Sequence, residues 1–382
     1  MSLTPKQDEV KNKLLDFIFD KNQKEIILQG HAGTGKTYLL SHLMQEYKDT
    51  LLLANSLGLP KLDIVFCATT NKAVEALQEK GIKAKTVHSQ FKLNLNDAPI
   101  YTEYMSNKLV IIDECSYLNY KQFDYIRNHC DKVIYVGDKN QLTPVGLNHA
   151  PVYYADIALV ELTETIRQQN APEIGDYCDK LREAITSNSD MPSIVLGKEI
   201  VYLNPKQFEQ QIKQDFANFD GSQKILGVKN TTVQKYNNLL ASKIKAGDIL
   251  INNTYHRYLN IANNAPVFIQ EVIAEETVLG VKVTTCRINS TGYVHIPKSA
   301  TGMSRAYNQV KNTEDCNTFN QFMDLRQPYA QTIHKAQGST YSTVYIHLDD
   351  LNAIETKKER NRLLYVAFSR ATDKVYLTGN LP

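Results

Sequence analysis

The sequence of 382 residues contains no tryptophan, and its six cysteines lack the C-x-x-C pairs that are typical of zinc sites. These cysteines are Cys67, Cys115, Cys130, Cys178, Cys286 and Cys316. Isolated cysteines of this kind are typical of buried or free thiols in a reducing compartment. The sequence therefore argues against a zinc site and against disulfides, and it predicts a cytoplasmic protein.

Long hydrophobic runs and an excess of one charge are also missing. No apolar run approaches the roughly 20 residues that cross a bilayer, and no secretory hydrophobic segment stands at the N-terminus. We therefore expect no membrane partner. Because the net charge is only +2, composition alone does not indicate a nucleic-acid-binding protein. The length predicts two or three globular domains.

What the sequence does contain is a phosphate-binding loop. Residues 30–37 read Gly-His-Ala-Gly-Thr-Gly-Lys-Thr and match the pattern G-x-x-x-x-G-K-[ST]. The preceding apolar run, residues 25–29, indicates a buried strand, and apolar residues at helical spacing follow the loop. Glycines let backbone N–H groups face a polyphosphate, and the helix N-terminus adds its positive dipole end. The sequence therefore predicts binding of a nucleoside triphosphate, with Lys36 at the β/γ-phosphates and Thr37 on Mg²⁺. The other residues predicted to surround the nucleotide here are Gly30, Ala32, Gly33, Thr34 and Gly35.

Strands and helices alternate along most of the chain, which predicts doubly wound parallel sheets. After the loop helix, strands are predicted at residues 63–68, 108–112 and 133–136. A second series has helices at residues 172–185, 207–216 and 357–371, and strands at residues 224–228, 343–348 and 374–378. Residues 249–325 are β-rich, with no helical pattern before about Asn317. The sequence thus predicts an α/β protein with two α/β domains and a small all-β insertion in the second.

The opening segment, residues 4–19, has the pattern of a helix. Thr4 can cap it, Pro5 suits its first position, and Gln7 stands at capping-box spacing. Gln7 therefore has two alternative roles, closing the capping box or contacting a nucleotide base.

Acidic and amide residues follow two of the predicted strands. Asp113 and Glu114 come directly after residues 108–112, where Asp113 can hold Mg²⁺ and Glu114 can polarise the attacking water. Gln141 lies in residues 137–145, after the next strand. An amide there can hydrogen-bond a γ-phosphate or its attacking water, although the segment alone is also a typical polar turn.

Two arginines, Arg167 and Arg370, lie in residues 161–168 and 364–371. An arginine placed on the transferring group accelerates phosphoryl transfer, and another domain often supplies it. Composition alone favours a surface role for either residue, so a catalytic role depends on the order of the motifs.

That order resembles the superfamily 1 helicases, specifically the RecD/Dda-like group, whose members move 5′ to 3′ on single-stranded DNA. The matching segments are Gln7 and residues 30–37, 68–73, 85–89, 113–114, 137–145, 162–168, 331–339 and 365–371. The match extends over both halves of the chain and departs at His31, where the family usually has proline. It implies a monomer that uses ATP and Mg²⁺ in the cytoplasm of a bacterium or a phage-infected cell.

The resemblance also implies a division into RecA-like domains around the nucleotide. Domain 1A would span residues 1–155, with a short 1B hairpin at about 92–107. Domain 2A would span residues 156–248 and 328–382, and an SH3-like domain 2B residues 249–327. Lys36, Glu114 and Gln141 would act in catalysis from the first domain, and Arg167 and Arg370 would approach from the second. Gln7 would contact adenine, and Gln337 and Gly338 would couple the second domain to the γ-phosphate.

A surface for single-stranded DNA is implied just beyond the strand ends. Its candidate residues are Thr70, Asn71, Thr86, His88, Asn230, Thr332, His334 and Lys335. Short polar groups and backbone N–H groups at such places can hold phosphates. Each residue is also a typical cap or turn residue, and Thr70 and Asn71 can simply begin their helix.

The interval 92–107 is shorter than the hairpin that separates the duplex in Dda-like helicases. Asp97-Ala98-Pro99 predicts a turn, with Tyr101 or Tyr104 near its tip. An aromatic ring there can stack on the last base pair, or it is an ordinary core or surface tyrosine.

The leading prediction is an ATP-driven 5′-to-3′ helicase acting on single-stranded DNA and on junctions with duplex. Replication or recombination proteins are candidate partners. The alternatives are a translocase or protein-displacing clamp with weak unwinding, and an RNA or RNA–DNA helicase. A P-loop kinase fits poorly, because it would not explain the Asp113-Glu114 pair or the distant Arg370.

Overall fold

The computed structural model describes residues 2–56, 61–94, 96–288, 292–299, 301–310 and 316–381. They form two compact units. The first comprises Met1–Ile212, Ser222–Val228 and Thr332–Pro382, and the second comprises Lys213–Gly221 and Lys229–Gln331. The first parallel sheet and four strands of the second lie in the first unit, so the predicted boundaries of domains 1A, 2A and 2B stay a prediction. Within the described ranges, no helix is long and apolar enough to span a membrane.

A parallel sheet occupies the first part of the chain, in the strand order β3-β2-β4-β5-β1-β6. Its strands are β1 (Glu25–Gly30), β2 (Asp63–Ala68), β3 (Ala84–Thr86), β4 (Met105–Asp113), β5 (Cys130–Gly137) and β6 (Ala158–Leu162). Strand β5 is buried almost throughout, and β4 is buried from Leu109 to Ile112, which explains the apolar sequence of these parts. Because β6 pairs with β1, this sheet extends to residue 162, beyond the predicted boundary at 155.

Helices cover this sheet and begin at its carboxyl edge. They are α1 (Pro5–Phe19), α2 (Lys36–Ser56), α3 (Asn71–Gln78), α4 (Val87–Phe91) and α5 (Tyr120–His129). Helix α1 has the predicted capping box, with Thr4 N donating to Gln7 Oε1 at 3.1 Å and Gln7 N donating to Thr4 Oγ1 at 3.3 Å. Its apolar face packs on the same core as α2 and strands β1, β4 and β5.

The chain then begins a second α/β series and enters the second unit. The next elements are α6 (Pro172–Ser187), β7 (Ile200–Tyr202), α7 (Pro205–Asp215), β8 (Gln223–Gly227) and α8 (Asn230–Leu240). In the second unit follow β9 (Ile249–Asn252), β10 (Pro266–Val278), β11 (Val281–Ile288), β12 (Gly292–Pro297), α9 (Gly302–Val310), α10 (Cys316–Phe319) and β13 (Leu325–Arg326).

The strands of the second unit form an antiparallel sheet in the order β12-β11-β10-β9-β13. Side chains that alternate along β10 and β11 build a small core around Val267, Ile269 and Cys286. This confirms the β-rich insertion. Helix α9 was not predicted, because its helical pattern is confined to nine residues, whereas α10 lies at about Asn317, where a helical pattern was expected.

The last part of the chain completes a second parallel sheet. Its elements are β14 (Ala330–Thr332), α11 (Ile333–Ala336), β15 (Tyr341–His347), α12 (Lys357–Phe368) and β16 (Ala371–Thr378). Strands β8, β15, β16 and β7 lie side by side and parallel. Residues 361–368 of α12 are all buried, and they share one core with Ala32 and Leu142 from the loops of the first sheet. The two parallel sheets confirm the predicted fold class.

The five cysteines whose side chains the structure describes are free and buried, as expected. The side chain of Cys316 lies outside the described residues.

Candidate nucleotide site and strand-binding edge

The phosphate loop joins β1 to α2 in the conformation that its glycines permit. Gly33 and Gly35 have φ angles of +84° and +81°, which side-chain-bearing residues rarely adopt. A Cβ at Gly33 would collide with the Cβ of Arg167, and a Cβ at Gly35 would lie 2.6 Å from Gln7 Nε2. Both positions therefore require glycine.

Polar contacts hold this loop closed around its lysine. Lys36 Nζ donates to the carbonyl oxygens of Gly30 at 2.7 Å and of His31 at 3.1 Å. Thr34 Oγ1 donates to the same His31 carbonyl at 2.9 Å. The ammonium group is thus bonded to the loop's own carbonyl oxygens, and Lys36 and Thr37 begin α2, whose N-terminus favours a phosphate.

Gln7 is a structural support of the loop. It is only 3% exposed, and its Nε2 donates to the Thr34 carbonyl at 3.0 Å while its Oε1 closes the capping box. The capping-box alternative is therefore confirmed. The adenine contact stays a prediction, since both ends of the amide are engaged in this structure.

The acidic pair lies at the end of β4. Asp113 Oδ1 accepts a hydrogen bond from Glu114 N at 2.9 Å, and Glu114 itself has a left-handed φ of +54°. Burial and the negative charge of Glu114 raise the pKa of Asp113 to about 6. A nearby cation would stabilise this buried carboxylate, and carboxylate and hydroxyl oxygens are the ligands that Mg²⁺ prefers. Asp113 and Thr37 therefore fit a magnesium site.

A glutamine from the second series reaches this acidic pair. Gln337 follows α11, is buried, and donates from Nε2 to Glu114 Oε2 at 2.9 Å. The amide oxygens of Gln337 and Gln141 have no hydrogen-bond partner among the described residues, although both are buried. Such unpaired acceptors fit side chains that hold a water or another ligand in the site. The neighbouring Gly338 has a φ of +83° and lies near the start of α3.

Arg167 is bonded to the phosphate loop through its backbone and to the second series through its side chain. Its backbone N and that of Ile166 donate to the Gly33 carbonyl, at 3.2 and 2.9 Å, so the residue is tied to the phosphate loop. Its guanidinium Nη1 donates to the Ser369 carbonyl at 2.9 Å. Burial and the neighbouring charge of Arg370 lower the pKa of Arg167 to about 10, which leaves it charged at neutral pH. Arg167 thus contacts both the phosphate loop and the second α/β series, and its assignment to the second domain stays a prediction.

The Arg370 side chain is buried, and its hydrogen bonds go to residues of the second α/β series. Its guanidinium donates to Val366 O at 3.1 Å, Ser339 O at 3.1 Å and Ser369 Oγ at 2.9 Å. All three acceptors are uncharged, so the two neighbouring guanidinium groups of Arg167 and Arg370 have no carboxylate bonded to either among the described residues. This arrangement favours an anion nearby.

The predicted strand-binding threonines are helix caps. Thr70, Thr86 and Thr332 each accept a hydrogen bond at Oγ1 from a backbone N three residues later, at 3.1–3.3 Å. They begin α3, α4 and α11 at the ends of β2, β3 and β14. Asn71 and His334 are exposed beside these caps, and Lys335 is partly exposed. The cap alternative is confirmed for the three threonines, and DNA contact stays a prediction.

His88 and Asn230 have different surroundings. His88 Nε2 lies 2.8 Å from Asp97 Oδ1 in the hairpin. Asn230 begins α8 in the second unit. Their roles at DNA also stay predictions.

The interval 92–107 contains a short hairpin whose turn is fixed to α5. Asn94 N donates to Ala98 O at 2.8 Å, and Ile100 N donates to Lys92 O at 2.9 Å. Asp97 at the turn accepts hydrogen bonds from Asn119 Nδ2 and Gln122 Nε2, both at 2.7 Å. Residues 100–104, which follow the hairpin, are all exposed, and the Tyr101 side chain is 53% exposed.

Two protein families match the chain. An AAA domain family matches residues 2–191, and the UvrD-like helicase C-terminal domain matches residues 328–378. The chain is 23% identical to the ATP-dependent DNA helicase Pif1 of Campylobacter jejuni, over 95% of this chain and 92% of that protein. Together these matches support a superfamily 1 helicase of the Pif1/RecD-like group.

One solved structure is similar in fold, and one further protein is similar in sequence. The crystal structure of a Bacteroides Pif1 helicase in complex with ADP-AlF3 and single-stranded DNA is 17% identical. Its TM-score is 0.57, and the match covers 100% of this chain and 93% of that one. An uncharacterised protein of Acanthamoeba polyphaga mimivirus is 24% identical over 97% of this chain and 98% of its own length. A particular closeness to Dda stays a prediction.

Sequence reasoning missed three residues of this candidate site. Asp138 stands in a predicted polar turn, and Tyr365 and Arg362 stand in a buried helix. Arg362 donates to Asn148 O at 3.1 Å and thereby connects α12 to the segment after β5. The sequence of α12 does not indicate which of its polar side chains bond to residues outside the helix. Tyr365 nevertheless lies within a matched motif.

Proposed function

We propose that this chain is an ATP-dependent DNA helicase that moves 5′ to 3′ on single-stranded DNA and separates duplex. ATP is hydrolysed between the two parallel sheets, and the resulting movement of one sheet against the other advances the protein along the strand. The observation that carries the proposal is the contact of Gln337 with Glu114, which joins the second series to the residue predicted to activate water.

In this proposal each residue around the phosphate loop has its own role in ATP hydrolysis. Lys36 binds the terminal phosphates, Glu114 accepts a proton from the attacking water, and Gln141 and Gln337 orient that water. Arg167 and Arg370 stabilise the charge that develops on the transferring group. Asp113 and Thr37 hold Mg²⁺, which supplies charge neutralisation at the phosphates when it is bound.

Arg370 must exchange its present acceptors to reach a nucleotide. Its three partners are backbone carbonyls and a hydroxyl of its own half, so leaving them costs less than breaking a buried ion pair. We infer that this exchange accompanies closure of the two sheets around ATP.

The strand would lie along the carboxyl edges of the sheets. Helices α3, α4 and α11 begin there, and the first N–H groups of a helix favour phosphate oxygens. Contacts to the backbone carry no sequence information, so binding should be sequence-tolerant and should weaken as salt rises.

The direction of movement is tested with labelled duplexes that carry a single-stranded tail. We expect ATP-dependent separation of a 5′-tailed duplex and little separation of a 3′-tailed one. Preference for the 3′ tail would contradict the polarity, and equal inactivity on both would favour a non-unwinding translocase. The same pair of tails made in RNA tests the RNA-helicase alternative.

The hairpin favours one second candidate, a translocase or protein-displacing clamp with weak unwinding. The hairpin is short, and Asp97 fixes its turn against α5, so residues 100–104 are what remains exposed to meet a duplex. The double variant Tyr101→Ala/Tyr104→Ala distinguishes the two functions. A helicase that uses these rings loses unwinding but keeps DNA-stimulated ATPase, whereas a translocase shows no change in either assay.

A further inference from the structure

Tyr365 makes a buried hydrogen-bonded bridge that the proposed chemistry does not use. Its side chain is 1% exposed. Its hydroxyl donates to Asp138 Oδ2 at 2.7 Å and accepts from the backbone N of Ala32 at 3.2 Å. One hydroxyl therefore joins the phosphate loop to the segment that follows β5.

Protonation fixes the direction of these bonds. Burial alone would raise the pKa of Asp138, but neighbouring His31 and the charge of Lys36 hold it at about 2. Burial and the Asp138 charge raise the pKa of Tyr365 well above its usual value. At neutral pH the carboxylate is thus ionised, and the hydroxyl keeps its proton and donates it.

The bridge reaches Gln141, which we call the sensor because it is predicted to contact the γ-phosphate or its attacking water, through one carboxylate. Asp138 Oδ2 also accepts from Gln141 Nε2 at 3.4 Å, and Asp138 Oδ1 accepts from Asn140 N at 3.0 Å. The Ala32 amide, the Tyr365 hydroxyl, Asp138 and Gln141 therefore form one connected row. Arg362, three residues before Tyr365, bonds to Asn148 O and attaches the same helix to the same segment.

Tyr365 belongs to α12, between two strands of the second sheet, whereas Ala32 and Asp138 follow strands of the first. Any movement that withdraws α12 leaves the Ala32 N–H without its acceptor and Asp138 without its donor. Leaving a buried hydrogen-bonding group without a partner costs free energy. The hydroxyl thus makes the position of the sensor depend on the position of the second sheet.

We propose that Tyr365 is a positioning residue that aligns the phosphate loop and Gln141 when the second sheet approaches. The proposal rests on the proposed ATP-driven function. It adds the residue through which movement of the second sheet changes the position of Gln141. Tyr365 does not touch the reacting atoms, so its removal should slow turnover with little effect on nucleotide binding.

The test compares Tyr365→Phe with the matched control Tyr177→Phe. Tyr177 is also buried, its hydroxyl donates to Pro192 O at 3.2 Å, and its ring packs on Phe368 of the same helix. With an oligo(dT) strand present, we expect kcat of Tyr365→Phe to fall about 10-fold while KM for ATP stays within about 3-fold. Tyr177→Phe should keep kcat and KM and lose only stability.

Hydrogen exchange of the nucleotide-free protein gives a second measurement, independent of activity. The peptide spanning residues 26–38 should exchange faster in Tyr365→Phe than in wild type, and not in Tyr177→Phe. The effects of Tyr365→Phe and Asp138→Asn on kcat should be non-additive, because both changes break the same row.

Wild-type kcat and wild-type loop exchange in Tyr365→Phe would overturn the proposal, as would an equal loss of kcat in Tyr177→Phe. Failure of the underlying function is distinguishable. In that case the wild-type ATPase would not respond to oligo(dT), while loop exchange would still report whether the hydroxyl holds Ala32.

Discussion

The nucleotide site and the strand-binding edge are built in opposite ways. At the nucleotide site, buried side chains bond across long sequence separations, as Gln337 does to Glu114 and Tyr365 does to Asp138. At the edge, Thr70, Thr86 and Thr332 bond to their own helices, three residues away. From this difference we expect nucleotide chemistry to depend on long-range geometry, and the proposed strand binding to depend on local backbone groups. Single substitutions should therefore have large effects at the first region and small ones at the second.

The largest effect is expected from Glu114→Gln. The amide keeps the size of the side chain but cannot accept a proton, so kcat for ATP should fall about 1,000-fold. Phosphate release under saturating ATP measures the loss. Glu9→Gln, at a surface residue paired with Lys6 and Lys13, serves as the control and should leave turnover unchanged. Turnover near wild type in Glu114→Gln would mean that another residue activates the water.

A smaller but still large effect is expected from Arg370→Ala. Loss of a guanidinium that stabilises the transferring phosphoryl group should lower kcat by about 100-fold or more. Nucleotide affinity, measured with a fluorescent ADP analogue, should change only a few-fold. Because the arginine is buried, thermal unfolding must be recorded alongside. If affinity fell as much as kcat, Arg370 would be a binding residue instead.

The Asp138 carboxylate allows a test at the nucleotide site, because its contribution to the free energy of unfolding depends on pH. Since its pKa is about 2 in the folded protein and 3.8 for the free side chain, it stabilises the fold above about pH 4, and this contribution disappears as pH falls toward 2. Asp138→Asn should therefore lower the free energy of unfolding by about 2 kcal/mol at pH 7. Urea unfolding at a series of pH values should show this difference shrinking below pH 4. A difference that stays constant with pH would mean that charge is not the cause.

The smallest effect is expected at the edge, from Thr70→Val. Loss of the cap should cost about 1 kcal/mol of stability and weaken single-strand affinity only a few-fold. Thr70→Ser keeps the cap oxygen and should behave as wild type. Anisotropy of a labelled oligonucleotide is suitable, because the chain has no tryptophan. A loss of affinity above about 100-fold would exceed what a cap explains and would contradict the contrast between the two regions.

Much of the fold was predictable because its signals are local. The glycines of residues 30–37, the buried run that becomes β4 and the capping box of α1 each depend on a few neighbouring residues. The pairing of β6 with β1 was not predictable, because a five-residue strand carries no mark of the sheet it joins. Helix α9 was missed for a similar reason, since its pattern is too short to stand out.

The candidate residues of the nucleotide site could be predicted from the sequence. The hydrogen bonds that connect them could not. Motif order indicated Glu114, Gln141, Gln337 and Arg370, but no spacing in the sequence indicates that Tyr365 bonds to Ala32, 333 positions away. For Arg167, the backbone bond to Gly33 depends on the path of the chain after β6, so the side from which it approaches could not be inferred. The caps at the strand-binding edge were foreseen as an alternative, because capping is a local property.

The central claim is that ATP hydrolysis between the two parallel sheets responds to a strand on their carboxyl edge. The most direct test is the steady-state ATPase rate of the purified chain, measured with and without oligo(dT) at one salt concentration. We expect the rate to rise at least about 10-fold with DNA and to lose that stimulation as salt is raised. An ATPase rate that is the same with and without the strand would contradict the account.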